Sequence, residues 1–145
     1  MKSLFKNVSL ASDHAGFKLK EKIKRNLLKK KIKVIDLGPK TEKSVDYPDF
    51  AKKIARNVLS KKSNVGILVC GSGTGMAMSA NKFKKIRAAV CYNAASTRLS
   101  RQHNNANIIA LGSRLTKNSY AIKLVNVFLS TKFEGGRHLR RVKKV

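Results

Sequence analysis

The chain has 145 residues, of which 42% are hydrophobic, and 33 basic against 7 acidic side chains give it a formal net charge of +26. This length and composition fit one domain with a hydrophobic core and argue against wholesale disorder. No apolar run approaches the ~20 residues of a membrane-spanning helix. Lys6 and Asn7 interrupt the apolar start, which argues against a signal peptide and predicts a cytosolic protein.

Short apolar runs alternate along the chain with segments of helical periodicity. In the first such segment, Phe17, Leu19 and Ile23 recur between lysines. Gly38-Pro39 ends the second apolar run, and Pro48 suits the first turn of the helix after it. Strands are predicted at residues 7–11, 32–38, 65–70, 87–91 and 107–111. Helices are predicted at about 15–30, 48–59, 76–83, 94–103 and 117–130.

Five strands alternating with helices predict an α/β chain with a three-layer Rossmann-like fold, in which a five-stranded parallel sheet carries helices on both faces. The run VGILVC (65–70) is nearly all apolar, so we expect it to be a central strand buried on both sides. Loops that follow the strands of such a sheet meet at one edge, where ligands bind. The polar residues expected to share this edge are Asp13, His14, Cys70, His103, Asn104 and Arg114.

A glycine-rich loop, GSGTG, joins the third strand to a helix. Glycines at such a junction let backbone N–H groups point at an anion, and the helix dipole adds to the attraction. The alternative is a tight turn without a ligand. The loop lacks both the G-x-G-x-x-G spacing of a dinucleotide site and the Gly-Lys-Ser/Thr of a P-loop, so it suits a small anion or a reaction oxyanion. Its residues are Gly71, Ser72, Gly73, Thr74 and Gly75.

Cys70 and Cys91 are too few for a disulfide framework, and neither has a Cys or His neighbour at zinc-ligand spacing. Cys70 precedes the glycine loop, where a thiolate is favoured, although a buried structural thiol remains the alternative. Cys91 lacks such a loop and is interpreted as structural. His103 is either a surface or capping residue or the acid–base partner of Cys70.

The basic tail places Arg137 and Arg141 four residues apart, on one face if the segment is helical. Two guanidinium groups one turn apart can hold a phosphate by bidentate hydrogen bonds. The alternative is a generally basic tail. The lysines are spread along the chain, which favours a basic solvated surface over a polyanion-binding one. No recognition-helix, RNP or zinc-finger pattern supports nucleic-acid binding.

Several segments, in the same order and almost from end to end, resemble the family of ribose-5-phosphate isomerase B and galactose-6-phosphate isomerase. The specific motifs are the CGSGTG loop, the RQHN segment and the GGRH tail, which occur together. The matching segments are SDHAG (12–16), DYPDFA (46–51), GILVCGSGTGMAMSANK (66–82), RAAVC (87–91), LSRQHNNANIIALGSR (99–114) and FEGGRHLRRV (133–142).

The resemblance implies a single sugar-phosphate isomerase domain over residues 1–145 that moves a proton between adjacent carbons. It makes Cys70 the base, because Met76 stands where other members carry a carboxylate. It makes His103 the acid that helps to open the sugar ring and makes 71–75 the cradle for the enediolate oxygens. The implied substrate-binding residues are Asp13, His14, Asn104, Arg114, Arg137 and Arg141, with the tail arginines at the phosphate.

The implied reaction is the interconversion of ribose 5-phosphate and ribulose 5-phosphate. The alternative is a six-carbon substrate such as galactose 6-phosphate or allose 6-phosphate. The chemistry requires no metal or other cofactor, and spacing along the chain shows no metal-ligand cluster. The resemblance further implies a homodimer, or a dimer of dimers, in which both subunits build each site. Neither a nucleic-acid nor a membrane partner is expected.

Overall fold

The computed structural model describes residues 2–145 and consists of five strands and six helices. Strand and helix alternate through the fifth strand, and two helices follow it. The strands are β1 (Asn7–Ser12), β2 (Lys33–Asp36), β3 (Val65–Cys70), β4 (Ala88–Val90) and β5 (Ile108–Gly112). The helices are α1 (Phe17–Lys29), α2 (Tyr47–Leu59), α3 (Thr74–Ala80), α4 (Ala94–Gln102), α5 (Asn118–Ser130) and α6 (Arg137–Val142).

All neighbouring strands are parallel, in the order β2-β1-β3-β5-β4. β1 and β3 lie side by side at the middle of the sheet, and the chain leaves them in opposite directions along the sheet. A topological switch point of this kind opens a crevice at the carboxyl ends of the two strands. β5 pairs directly with β3, with Cys70 opposite Gly112. The loops after β1, β3 and β5 are therefore neighbours.

Each face of the sheet carries its own apolar core. On one face, Leu27 of α1 and Phe128 of α5 are fully buried against the sheet. On the other, Ile54 of α2 and Met76 of α3 are fully buried. Every residue of β3 is buried, as its continuous apolar sequence requires of a strand covered on both sides. Burial of these side chains, at about 1.5–3 kcal/mol each, is the main source of stability.

The predicted three-layer α/β architecture is confirmed, and the predicted elements agree with the structure to within a few residues. The fourth strand is shorter than predicted, because pairing with β5 covers only Ala88 to Val90. The longest of the described helices have 13 residues, and none is long and apolar enough to cross a membrane. The basic tail forms α6, a short helix without any buried residue.

Candidate active site

At the carboxyl edge of the sheet, between β1, β3 and β5, lies a cavity of about 390 Å³. Asp13, Cys70 and Arg114 line it from the ends of those three strands, and Tyr47 lines it from the start of α2. Backbone hydrogen bonds hold the strand ends together: the Asp13 N–H donates to Val69 O at 3.1 Å, and the Ser113 N–H donates to Cys70 O at 2.8 Å. The cavity walls are thus fixed by the sheet itself.

The Cys70 side chain is 5% exposed and belongs to the cavity wall. The backbone N–H of Gly73 donates a hydrogen bond to its sulfur, with an N–S distance of 3.1 Å. Gly73 has φ +82°, a left-handed conformation that glycine adopts without the penalty of a Cβ. An N–H donor aimed at the sulfur stabilises negative charge there. The loop therefore directs a backbone N–H donor at the sulfur of Cys70.

Two loop glycines permit close approach by larger side chains. A Cβ on Gly71 would lie 3.1 Å from a terminal guanidinium nitrogen (Nη1) of Arg114, and a Cβ on Gly75 would lie 2.5 Å from the Tyr47 ring. Arg114 is also held by its backbone, whose N–H donates to Gly71 O at 3.0 Å. A guanidinium and a phenol thus flank the loop whose Gly73 N–H donates to the thiol. This combination suits a small anionic or polar ligand.

Asp13 and His14 follow β1 at the same edge. The carboxylate of Asp13, which is 8% exposed, accepts a hydrogen bond from the Gly16 N–H at 2.9 Å and lines the cavity. His14 is half-buried, and its Nδ1 accepts a hydrogen bond from the Val45 N–H at 3.2 Å. Both side chains are therefore oriented by backbone groups, one from the start of α1 and the other from the loop before α2.

His103 and Asn104 do not share this edge within one chain, so the prediction that placed them there is wrong. α4 runs back from the carboxyl end of β4 to the amino end of β5, and His103 follows its last residue. His103 and Asn104 accordingly line a second cavity, of about 460 Å³, with residues that begin β4. Arg141 of the tail lines the same cavity, and Arg137 begins the helix that carries it.

A compact group of side chains lies beside the second cavity, and its two histidines, His103 and His138, line that cavity. The rings of His103 and His138 are stacked, with centroids 4.2 Å apart and planes 11° from parallel. The Glu134 carboxylate lies 3.8 Å from Nε2 of His103 and 3.6 Å from Nε2 of His138. Burial, followed by the charges of His103 and Arg137, lowers the pKa of His138, which favours its neutral form. The cluster combines exchangeable protons with nearby positive charge.

The tail is attached to the end of α4 by hydrogen bonds. The buried Arg101 guanidinium donates to Thr131 O at 3.1 Å and to Ala106 O at 2.6 Å, and it lies over the ring of Phe128. The Glu134 N–H donates to Gln102 O at 3.0 Å. Arg101 thereby positions the segment that brings His138 against His103.

The two cysteines have different surroundings. Cys91 is 1% exposed within the apolar core, and burial raises the pKa of its thiol. Its sulfur lies 3.7 Å from Ala89 O, a contact typical of a weak thiol donor. Both cysteines are free thiols. The surroundings of Cys91 suit a structural residue, as interpreted from the sequence, whereas Cys70 opens onto a cavity.

Sequence reasoning missed four residues that belong to these two groups. Tyr47 and His138 stand inside the motifs DYPDFA and GGRH, which carried the resemblance, but no residue of the first motif was assigned a role, and in the second only Arg137 was. Glu134 is one of only seven acidic residues in a very basic chain, and this rarity was a signal that could have marked it as a site residue. Arg101 had no signal, because its role depends on a tail segment distant in sequence.

A parallel α/β fold with a thiol and backbone donors at its switch point, and with a separate cluster of histidines and arginines, has the groups needed for acid–base chemistry on a small anionic compound. A family model described as Ribose/Galactose Isomerase matches residues 8–145, and the chain belongs to this family.

Relatives and solved structures agree with this assignment. The chain is 41% identical over 140 residues to the ribose-5-phosphate isomerase B of Escherichia coli, covering 97% of this chain and 94% of the relative. A ribose-5-phosphate isomerase structure from Thermotoga maritima is 51% identical, with a TM-score of 0.94 and 95% of both chains covered. One from Mycoplasma genitalium with bound ribulose 5-phosphate is 45% identical, with a TM-score of 0.91 and coverage of 95% and 92%.

Proposed function

We propose that this chain is a ribose-5-phosphate isomerase that interconverts ribose 5-phosphate and ribulose 5-phosphate through an enediolate, with Cys70 as the base. The observation that carries the proposal is the Cys70 sulfur, which lies in the wall of the switch-point cavity and accepts a hydrogen bond from the Gly73 N–H. The names of the relatives and the ribulose 5-phosphate bound to the Mycoplasma genitalium protein support this substrate.

The proposed reaction begins with the open-chain aldose. The Cys70 thiolate removes the proton from C2, and the electrons of the broken C–H bond form the C1–C2 double bond of the enediolate. Return of the proton from Cys70 to C1, with transfer of the C2 hydroxyl proton to the C1 oxygen, gives the ketose. The intermediate carries negative charge on oxygen, so preorganised N–H donors of 71–75 lower the barrier, at about 3–4 kcal/mol for a well-placed donor. Arg114 beside Gly71 adds a positive charge at the same place.

His103 is assigned the general acid that opens the sugar ring, a contribution of about 10²–10⁴-fold. Since His103 and Cys70 line different cavities of one chain, this role requires a second subunit. We therefore assign the protein as a homodimer. In it, the carboxyl edge of the sheet of one subunit, which carries Cys70, meets the amino edge of the sheet of its partner, which carries His103. Asn104, Arg137 and Arg141 then reach the substrate from the partner, with the arginines at the phosphate.

Exposed apolar side chains support this association. Leu115 lines the carboxyl-edge cavity and is 63% exposed, and Met78 on α3 is 66% exposed. Val142 and Val145 line the second cavity, which lies at the amino edge of the sheet and is called the amino-edge cavity from here on. Val145 is 87% exposed. Large apolar side chains beside two polar half-sites are typical of an interface between subunits. The cytoplasmic location expected from the sequence is part of the same proposal, and both cysteines are free thiols, as is usual there.

Turnover of ribose 5-phosphate by the purified chain, compared with allose 6-phosphate and galactose 6-phosphate, tests the substrate. We expect the pentose phosphate to have the highest kcat/KM, and a chelator to leave this turnover intact because the proposed chemistry uses only side chains and backbone groups. Preference for a six-carbon sugar phosphate would replace the substrate while keeping the reaction class. Absence of turnover with all three would refute the isomerase.

A further inference from the structure

We propose that His103, Glu134 and His138 form a binding site for a divalent transition-metal ion, and that the bound ion inhibits the isomerase by occupying His103. The inhibitory half of this inference rests on the proposed function, in which His103 opens the sugar ring. The site itself rests only on geometry: each of the three residues offers a ligand atom, and these atoms all lie within 4.8 Å of one another.

The distances are close to those of a coordinated ion. The Glu134 oxygen lies 3.8 Å from Nε2 of His103 and 3.6 Å from Nε2 of His138. Ligands at ~2.0–2.1 Å from a tetrahedral ion are separated from each other by about 3.4 Å. The cluster therefore has to contract by only a few tenths of an ångström around the Glu134 oxygen, which is well within the freedom of a carboxylate that is 50% exposed.

The ring orientation requires one adjustment. In stacked imidazole rings the nitrogen lone pairs lie in nearly parallel planes. A shared ion requires one lone pair from each ring to point at the same position. The His138 side chain is 12% exposed and packed, so it forms the fixed ligand. The His103 side chain is 40% exposed and can turn about its side-chain torsions toward the ion. Metal binding thus replaces the stacked arrangement by one in which His103 is held through its nitrogen.

The ligands and their surroundings select the kind of ion. Two imidazoles and one carboxylate suit Zn²⁺, Ni²⁺ or Cu²⁺, whereas Mg²⁺ and Ca²⁺ prefer oxygen ligands. Arg137 and Arg141 add positive charge to α6, which also carries His138. This charge weakens the binding of cations that are held mainly by electrostatic attraction.

Inhibition follows from the chemistry of the imidazole. A nitrogen that donates its lone pair to an ion can neither carry nor deliver the proton required at the ring oxygen. The ion also places positive charge and its remaining ligands where the substrate has to enter the amino-edge cavity. We therefore expect inhibition by Zn²⁺ to be competitive with the sugar phosphate and to be reversed by a chelator.

Direct binding to the intact chain tests the site without reference to activity. Co²⁺ is added while the visible absorption of a four-coordinate ion is recorded, and Zn²⁺ affinity is measured by calorimetry. His138→Gln and Glu134→Gln should each weaken binding by about tenfold or more. His14→Gln and Cys70→Ser, which remove other candidate ligands, should leave it unchanged. Two separate cluster variants are used so that the test stands if one of them fails to fold. Thermal unfolding of each variant detects such a failure.

The results separate this inference from the proposed function. Zn²⁺ affinity that survives both cluster substitutions, or that is lost in Cys70→Ser, overturns the site. Turnover that persists with the ion bound at the cluster overturns the inhibitory role. Metal binding at the cluster in a chain that turns over no sugar phosphate upholds the site, and it refutes both the proposed isomerase and the inhibition. If His138→Gln raises the Zn²⁺ concentration needed for inhibition by the same factor by which it weakens Zn²⁺ binding, the whole inference is supported.

Discussion

The two edges of the sheet carry polar groups that are held in different ways. At the carboxyl edge, backbone hydrogen bonds between β1, β3 and β5 fix the loops around Cys70. At the amino edge, His103 and the tail arginines lie on a helix end and on α6, which buries none of its residues. Preorganised donors suit the developing charge of a reaction, whereas exposed cationic side chains suit the capture of a phosphate. Under the proposed function, proton transfer between the substrate carbons belongs to the carboxyl edge, and phosphate binding and ring opening belong to the amino edge.

Cys70→Ala gives the largest effect that the comparison predicts. Removing the proposed base should lower kcat by about 10²–10⁴-fold, with the protein still folded, because the sulfur lies in the cavity wall and the substitution removes a single heavy atom. Turnover and thermal unfolding measure the two consequences. Cys91→Ala is the matched control, and it should keep its turnover. Retained activity in Cys70→Ala would remove the chemistry from this edge.

Mixing two inactive variants tests whether the edges of different subunits combine. Cys70→Ala damages one edge and His103→Asn the other, so in a mixed dimer one shared site has both intact halves. Random pairing of equal amounts should restore about a quarter of the wild-type activity. The mixed dimer isolated by co-expression with two affinity tags should have about half of the wild-type activity, since one of its two sites is intact. A mixed dimer as inactive as its parents would mean that each site lies within one chain.

Arg137→Ala gives the smallest of the three effects, and it appears in KM. Loss of a charge-assisted hydrogen bond to the phosphate should raise KM by about ten- to a hundredfold while leaving kcat nearly unchanged, since the phosphate is held in both ground and transition states. Lys143→Ala removes a charge from the same segment on a different side of the helix and should leave KM unchanged. A dominant loss of kcat in Arg137→Ala would instead assign this residue to the chemistry.

The carboxyl edge could largely be predicted from the sequence because parallel strands send their following loops to one side. Asp13 and Cys70 required only the alternation of strands and helices. The placement of Arg114 depends in addition on the strand order, which local pattern does not reveal. β5 lies beside β3, with β4 at the edge of the sheet. If β4 lay between β3 and β5 instead, Arg114 would be about 4.8 Å farther from the cysteine loop.

The amino edge could not be predicted as fully. The error over His103 was avoidable, because a helix between two parallel strands has to end at the opposite edge from its start. The contact between His103 and His138 was not, because it depends on the buried Arg101, whose hydrogen bond to Thr131 O joins segments thirty residues apart. Long-range side-chain contacts of this kind leave no periodic signal in the sequence.

The hydrogen bond from the Val45 N–H to His14 determines where that ring carries its proton. A nitrogen that accepts a backbone hydrogen bond is unprotonated, so in the neutral imidazole the proton belongs on Nε2. His14 therefore presents a donor and not a base on its other side. This tautomer suits contact with a phosphate or hydroxyl oxygen, so His14 itself does not compete as a base with the proposed base Cys70.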